Sequence, residues 1–146
     1  MGHKGGGPGK GEAGQALVEA ALVIPVLLLL AFGVVMVGRI AHAKVAVQAA
    51  AREAGRTLAT ASSESEGVAA ALQSARSVAD GYGLSEGNLA VDVDSGGFQR
   101  GGVATAEVSY RVPLADLPLL DRVEVTVSST HAERIDLYRS REAVLR

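Results

Sequence analysis

From Ala16 to Val37 the chain reads ALVEAALVIPVLLLLAFGVVMV, an apolar run of about 22 residues interrupted by a single charge. At about 1.5 Å rise per residue, a helix of this length covers about 33 Å, close to the ~30 Å hydrocarbon core of a bilayer. Apolar side chains occupy every face of that helix and no amphipathic period is present, which excludes a helix lying on the surface of a soluble domain. The run dictates a membrane-spanning helix. Pro25 lies inside it and is expected to bend or loosen the helix locally.

The remainder must be organised around this span. The whole chain has 146 residues, which suffice for one domain beside the span but not for two with full cores. Aromatic residues make up 3%, too few for a base-stacking surface, and the formal net charge of −2 gives no pull toward polyanions. Nucleic acid is therefore not an expected partner. Cysteine is absent, which removes disulfides, thiolate catalysis and thiolate metal sites together. A small domain without these staples needs packing against its own membrane helix, or a homo- or hetero-oligomer, to hold it.

Before the span, residues 1–14 are Gly-rich and read as a flexible leader. The transmembrane helix is assigned to residues 15–38. Beyond it, residues 39–61 carry no helix stop, and Ile40, Val47, Ala51, Ala54 and Leu58 recur at helical spacing among Arg39, Lys44, Arg52, Glu53 and Arg56. This segment reads as a stalk continuing the membrane helix. Residues 62–136 follow as an α+β domain. Ser63 and Glu66 have capping-box spacing, opening a second helix from about Glu64 to Tyr82 with Val68, Leu72, Ala75, Ala79 and Tyr82 as its apolar stripe.

After Ser85 the period drops to two. Leu89, Val91 and Val93 alternate with Ala90, Asp92 and Asp94; Ala106, Val108, Tyr110 and Val112 alternate with Glu107, Ser109 and Arg111; Val123, Val125 and Val127 alternate with Glu124, Thr126 and Ser128. Three strands with one apolar face predict an antiparallel meander packed on the helices. Ser95 to Gly102 is a glycine-rich loop, and residues 113–121 with Pro118 form a connector. Residues 137–146 are a charged tail. The fold class is thus α+β: a long N-terminal transmembrane and stalk helix, a second helix and a three-stranded antiparallel sheet, an arrangement like that of pilins.

No constellation in the chain carries catalysis or a cofactor. His42 and His131 lie far apart without a nucleophile motif, and Asp92 with Asp94 supplies too few oxygens for calcium. The glycine pairs Gly96-Gly97 and Gly101-Gly102 lack the strand–loop–helix setting of a phosphate cradle. A non-enzymatic protein is expected, with no catalytic, cofactor-binding or metal residues.

The charge that carries information is Glu19. A carboxylate at the centre of a bilayer costs roughly 2.5–3.5 kcal/mol on insertion scales, less near the end of a helix. Its bland reading is a side chain reaching back to the headgroups. Its setting is more specific. Gly14 stands just before the apolar run, and Gly14-Gln15-Ala16-Leu17-Val18-Glu19 puts the glutamate fifth after it. This pattern resembles the processing site of type IV prepilins, where a membrane peptidase cuts after the glycine. The likeness extends through residues 14–59, with Pro25 six residues after the glutamate and the closing run Ala50-Ala51-Arg52-Glu53-Ala54-Gly55-Arg56. Over this stretch the chain resembles the TadE-like family, minor pilins or pseudopilins of the tight-adherence pilus machinery. It departs in having Ala20 where that family usually has Phe.

The resemblance implies cleavage between Gly14 and Gln15 by a prepilin peptidase. It implies a membrane-anchored subunit that packs with other pilins or pseudopilins, and a domain on the outer side of the cell membrane, where incorporation into a surface filament is open to it. Glu19 would pair with the new α-amino group of a neighbouring subunit, and Pro25 would shape the packing helix. Gly33 and Gly38 offer places for close helix approach.

Two other fates of the N-terminus fit the residues. Ala41-His42-Ala43 matches a small-x-small signal-peptidase site that would release a soluble exported domain, although the apolar core exceeds the ~7–15 residues of ordinary signals. An unprocessed bitopic anchor, a membrane-tethered scaffold, shares every feature except the cut. The distribution of basic residues runs against an outer domain, because Arg39, Lys44, Arg52 and Arg56 follow the span while Lys4 and Lys10 precede it.

Overall fold

The computed structural model describes residues 10–118 and 120–135. The charged tail expected over residues 137–146, and the first nine residues of the leader, lie outside the described residues. The chain divides into two compact units between Val37 and Gly38.

The first unit is the N-terminal part of helix α1, which runs from Lys10 to Thr60. Its start at Lys10 lies inside the segment expected to be a flexible leader, so Gly11 to Gly14 are helical. Two effects account for this correction. Glu12 sits in the first turn, where a negative charge complements the helix dipole. Once the apolar run has nucleated a helix, adding residues at its end costs far less than starting one. Helical backbone also passes through Pro25 uninterrupted, since proline removes one donor without ending a helix whose neighbouring turns hold.

In the second unit, α1 continues from Gly38 to Thr60 and acquires a buried face. Ala43, Ala46, Val47, Ala50, Ala51, Ala54, Leu58 and Ala59 are all at most 3% exposed. These positions recur at three- and four-residue steps and are nearly all alanine, so the rest of the domain can come close to the helix backbone. Gly55 belongs to the same face: a Cβ there would stand 3.0 Å from the His131 ring. Thr60 closes the helix, its hydroxyl donating to the Arg56 carbonyl at 3.0 Å.

Helix α2 spans Glu64–Gly81, with Ser63 as the preceding residue in extended conformation. The capping box expected at Ser63 and Glu66 does not form, because the Ser63 side chain makes no capping bond. Instead Ser62 donates its hydroxyl to the Glu66 carboxylate at 2.6 Å. The buried stripe keeps the expected Ala75 and Ala79 but is displaced by one position in the first half of the helix. Gly67, Ala71, Ala75 and Ala79 are buried, while Val68 and Leu72 are half-buried and Tyr82 is exposed. Closeness of approach decides this: a Cβ at Gly67 would lie 2.7 Å from that of Ala61 and 3.1 Å from Leu58. The smallest residues take the line of contact and the larger ones flank it.

The sheet is an antiparallel meander in the order β1 (Leu89–Asp94), β2 (Val103–Val112), β3 (Val125–Arg134). Register places Leu89, Tyr110 and Val127 in one row, Val91, Val108 and Ser129 in the next, and Val93, Ala106 and His131 in a third. In β2 this face is fully buried at Ala104, Ala106, Val108, Tyr110 and Val112. The opposite face carries Asp92 directly across from Glu107 and is exposed. The observed α+β fold is therefore the expected one. The third strand differs in extent: it begins at Val125 and runs on to Arg134 through a polar stretch, and Val123, 41% exposed, precedes it. Ile135 then tucks into the core at 1% exposure, its N–H donating to the Gly102 carbonyl at 2.9 Å.

Candidate assembly site on the N-terminal helix

In the first unit α1 is an apolar surface with no other described residue laid on it. Leu17, Leu22, Leu30 and Val34 are each more than 60% exposed, and they point to different sides of the helix. In the most apolar 18-residue window no residue is buried, which separates this helix from the core helix of a soluble protein. By length and composition it can cross a membrane, and it is the sole such helix among the described residues. Such a surface is stable only in lipid or against other apolar helices.

Gly14, Gln15, Glu19 and Pro25 all lie on this stretch and are exposed. Glu19 has no hydrogen-bond or ion-pair partner among the described residues, so none of them compensates its charge in an apolar setting. A Cβ built on Gly14, Gly33 or Gly38 would meet nothing within 4 Å, so no contact among the described residues requires these glycines. Gly14 is also a weak point of the helix, costing about 1 kcal/mol relative to alanine.

The other polar residues singled out by sequence are occupied separately. His42 Nε2 donates to the Tyr82 carbonyl at 2.8 Å, and His131 Nε2 pairs with Glu133 at 3.1 Å. Asp94 accepts from the Gly96 N–H at 2.9 Å, closing the turn after β1. No group of three metal-ligating side chains occurs among the described residues.

One polar cluster escaped sequence reading. Arg39 donates from both terminal nitrogens to the two Asp116 oxygens at 2.6 Å each, and once more to the Pro113 carbonyl at 3.1 Å. The hydrogen bonding of Arg39 to Asp116 raises the Arg39 pKa, and the same interaction holds the Asp116 carboxyl below its ordinary value. Lys44 likewise donates to the Ser128 carbonyl at 2.9 Å. These partners lie some 75–85 residues away in sequence, with no local pattern to announce them.

Comparison with known proteins gives one match. Residues 14–56 fit the family model described as TadE-like protein, beginning at Gly14 and containing Glu19 and Pro25. No curated protein and no solved structure matches the chain. The match ends at Arg56, a turn short of the Ala59 limit expected from sequence, where α1 is closing against its own domain. Residues 14–56 are therefore similar to the TadE-like family, and with one long, bare apolar helix among its described residues the chain fits a single-pass membrane protein.

Proposed function

We propose that the chain is a membrane-anchored, non-enzymatic minor pilin or pseudopilin of a tight-adherence, type IVc-like pilus or secretion assembly. A prepilin peptidase cuts between Gly14 and Gln15, and residues 62–136 lie outside the cytoplasm. The supporting observation is the conjunction at one place: the family match opens at Gly14, directly before an apolar run whose only charge, Glu19, lacks a partner among the described residues.

The physical logic follows from the bilayer. After cleavage Gln15 bears a new cationic amino group, and Glu19 of an adjacent helix lies near it in depth. Pairing the two removes two unpaired charges from an apolar bundle, whereas either alone is costly there. The bare faces around Gly33 supply the close-approach surface. Exchanging Glu19 for Ala should then leave the chain in the membrane but sharply reduce its recovery with other pilins in sheared filaments or detergent-extracted complexes. Undiminished recovery refutes the pairing role.

A second reading has one observation in its favour. The Gly14–Gln15 bond is helical, whereas a protease takes an extended strand of substrate. An uncut bitopic anchor needs no unwinding at this point. The cost of unwinding is small, because the bond lies in the second turn of a helix whose first N–H groups have no intrahelical partner. Cleavage therefore remains the favoured reading.

A further inference from the structure

Two faces of the domain from Gly38 onward carry charges that no described residue answers. On the outer face of the sheet, register sets Asp92 directly opposite Glu107, and both are exposed. Like charges in facing positions destabilise a sheet. On α1, Arg52 and Arg56 are four residues apart, so they share one face of the helix, and both are exposed. Like charges at this spacing are unfavourable too. None of these four side chains has a hydrogen bond or ion pair among the described residues. In the run from Ala50 to Arg56, packing accounts for the buried alanines and Gly55, but not for the arginines.

The two faces point away from each other. Gly55 lies against the ring of His131, which shares a row with Val93 and Ala106 on the inner face of the sheet. Asp92 and Glu107 each neighbour a residue of that row in sequence and so project from the opposite face. On α1, Ala54 is fully buried, and Arg52 and Arg56 each stand two residues from it, about 200° around the helix. Acid and base therefore cannot meet within one copy, but they can meet between copies. Their spacing matches: side chains four apart on a helix hold their Cβ atoms about 5–6 Å apart, and facing residues of paired strands hold theirs about 4.5–5.5 Å apart. One guanidinium can reach each carboxylate. Asp94 adds a third carboxylate to the sheet face. The remaining charges stand aside. Glu53 projects about 100° from Arg52, and Arg111 and the Val103–Arg134 row each lie about 13 Å along β2 from Glu107.

We propose that the outer sheet face of one copy docks on the exposed α1 face of a second copy, with Asp92 and Glu107 against Arg52 and Arg56. The contact is head-to-tail. Each copy contributes a different face and keeps its other face free, so a third copy can add in the same way. Charge complementarity carries the contact, which makes it sensitive to salt. It stands whether or not the chain is cut after Gly14, and it uses no residue of the apolar run.

The absence of cysteine allows a direct test, because Gln73→Cys on the exposed side of α2 gives a single dye site. Donor- and acceptor-labelled full-length chains are mixed in an excess of detergent micelles. Energy transfer is read against protein concentration at low salt and at about 1 M salt, where charges are screened beyond about 3 Å. The proposal expects transfer that falls at high salt. For D92R/E107R alone, or R52E/R56E alone, it expects an apparent Kd raised at least about tenfold. Mixing the two reversed variants restores association, because each then offers the face that the other lacks. Should a reversed chain lose the native circular dichroism, the neutral pairs D92N/E107Q and R52Q/R56Q take its place, and each must weaken association. Association that ignores salt and both reversals belongs to the apolar helix and overturns the proposal. Loss in both folded variants without recovery on mixing overturns it as well. Neither result touches the pairing proposed for Glu19, which every variant retains.

Discussion

Helix α1 is one unbroken element living in two environments, and the contrast between its halves is instructive. Up to Val37 it is built from leucine, valine and isoleucine, exposed on every side. From Ala43 to Ala59 it is built mainly from alanine, and one stripe of it is completely covered. Helix-forming tendency is similar in both halves, so propensity does not distinguish them. What differs is the size of the side chains and whether they have a partner. Bulky groups suit a surface that meets lipid or other helices, while small groups suit a line along which a domain must come close.

Making one kind of deletion in both halves should break the symmetry most visibly. Leu58 is fully buried and Leu22 is 70% exposed. Leu58→Ala is expected to destabilise the folded domain by about 2–5 kcal/mol in detergent-solubilised chemical unfolding. Leu22→Ala should leave that transition within about 0.5 kcal/mol. Equal effects would mean that the two halves are not differently packed.

Adding a methyl group probes the contrast from the other side. Gly67→Ala forces a Cβ to within 2.7 Å of Ala61 and should cost about 1–3 kcal/mol, despite alanine's better helix propensity. Gly33→Ala meets nothing within 4 Å and should leave the domain's unfolding midpoint unchanged. A stabilised Gly67→Ala variant would show that α2 does not approach α1 as closely as described.

These two comparisons also mark what could be read from the amino-acid sequence. The span was legible because composition alone, over one window, decides it. β1 and β2 were legible because valine and alanine alternate with charged and polar residues in both. The stripe of α2 was read correctly at Ala75 and Ala79 but misplaced in its first half, because bulk was followed there whereas packing followed smallness at Gly67 and Ala71. Most of β3 was illegible: Ser128 to Arg134 has no apolar alternation and is a strand only because β2 pairs with it along its whole length. The Arg39–Asp116 link needs the fold to bring its ends together. At the candidate site, Gly14 and Glu19 could be picked out by pattern, but the partners proposed for them are other molecules, which the fold of one chain does not display.

The smallest effect expected concerns that link. Asp116 has a lowered pKa in the folded domain, so the contribution of its pair with Arg39 is fully present above the unfolded carboxylate value of about 4. It is lost as pH falls through the lower, folded value. Asp116→Asn should therefore lower the thermal midpoint slightly at neutral pH, and the difference from the native chain should close under acid conditions. A difference that persists in acid would assign the effect to something other than the charge.

The central claim, that residues 14–56 are a pilin-like segment matured at its glycine, is most directly tested by intact mass. The chain is extracted from membranes of cells with and without an active prepilin peptidase. The account predicts a peptidase-dependent species beginning at Gln15 and lacking residues 1–14. Full-length protein in both samples, or a species beginning at Lys44, would contradict it.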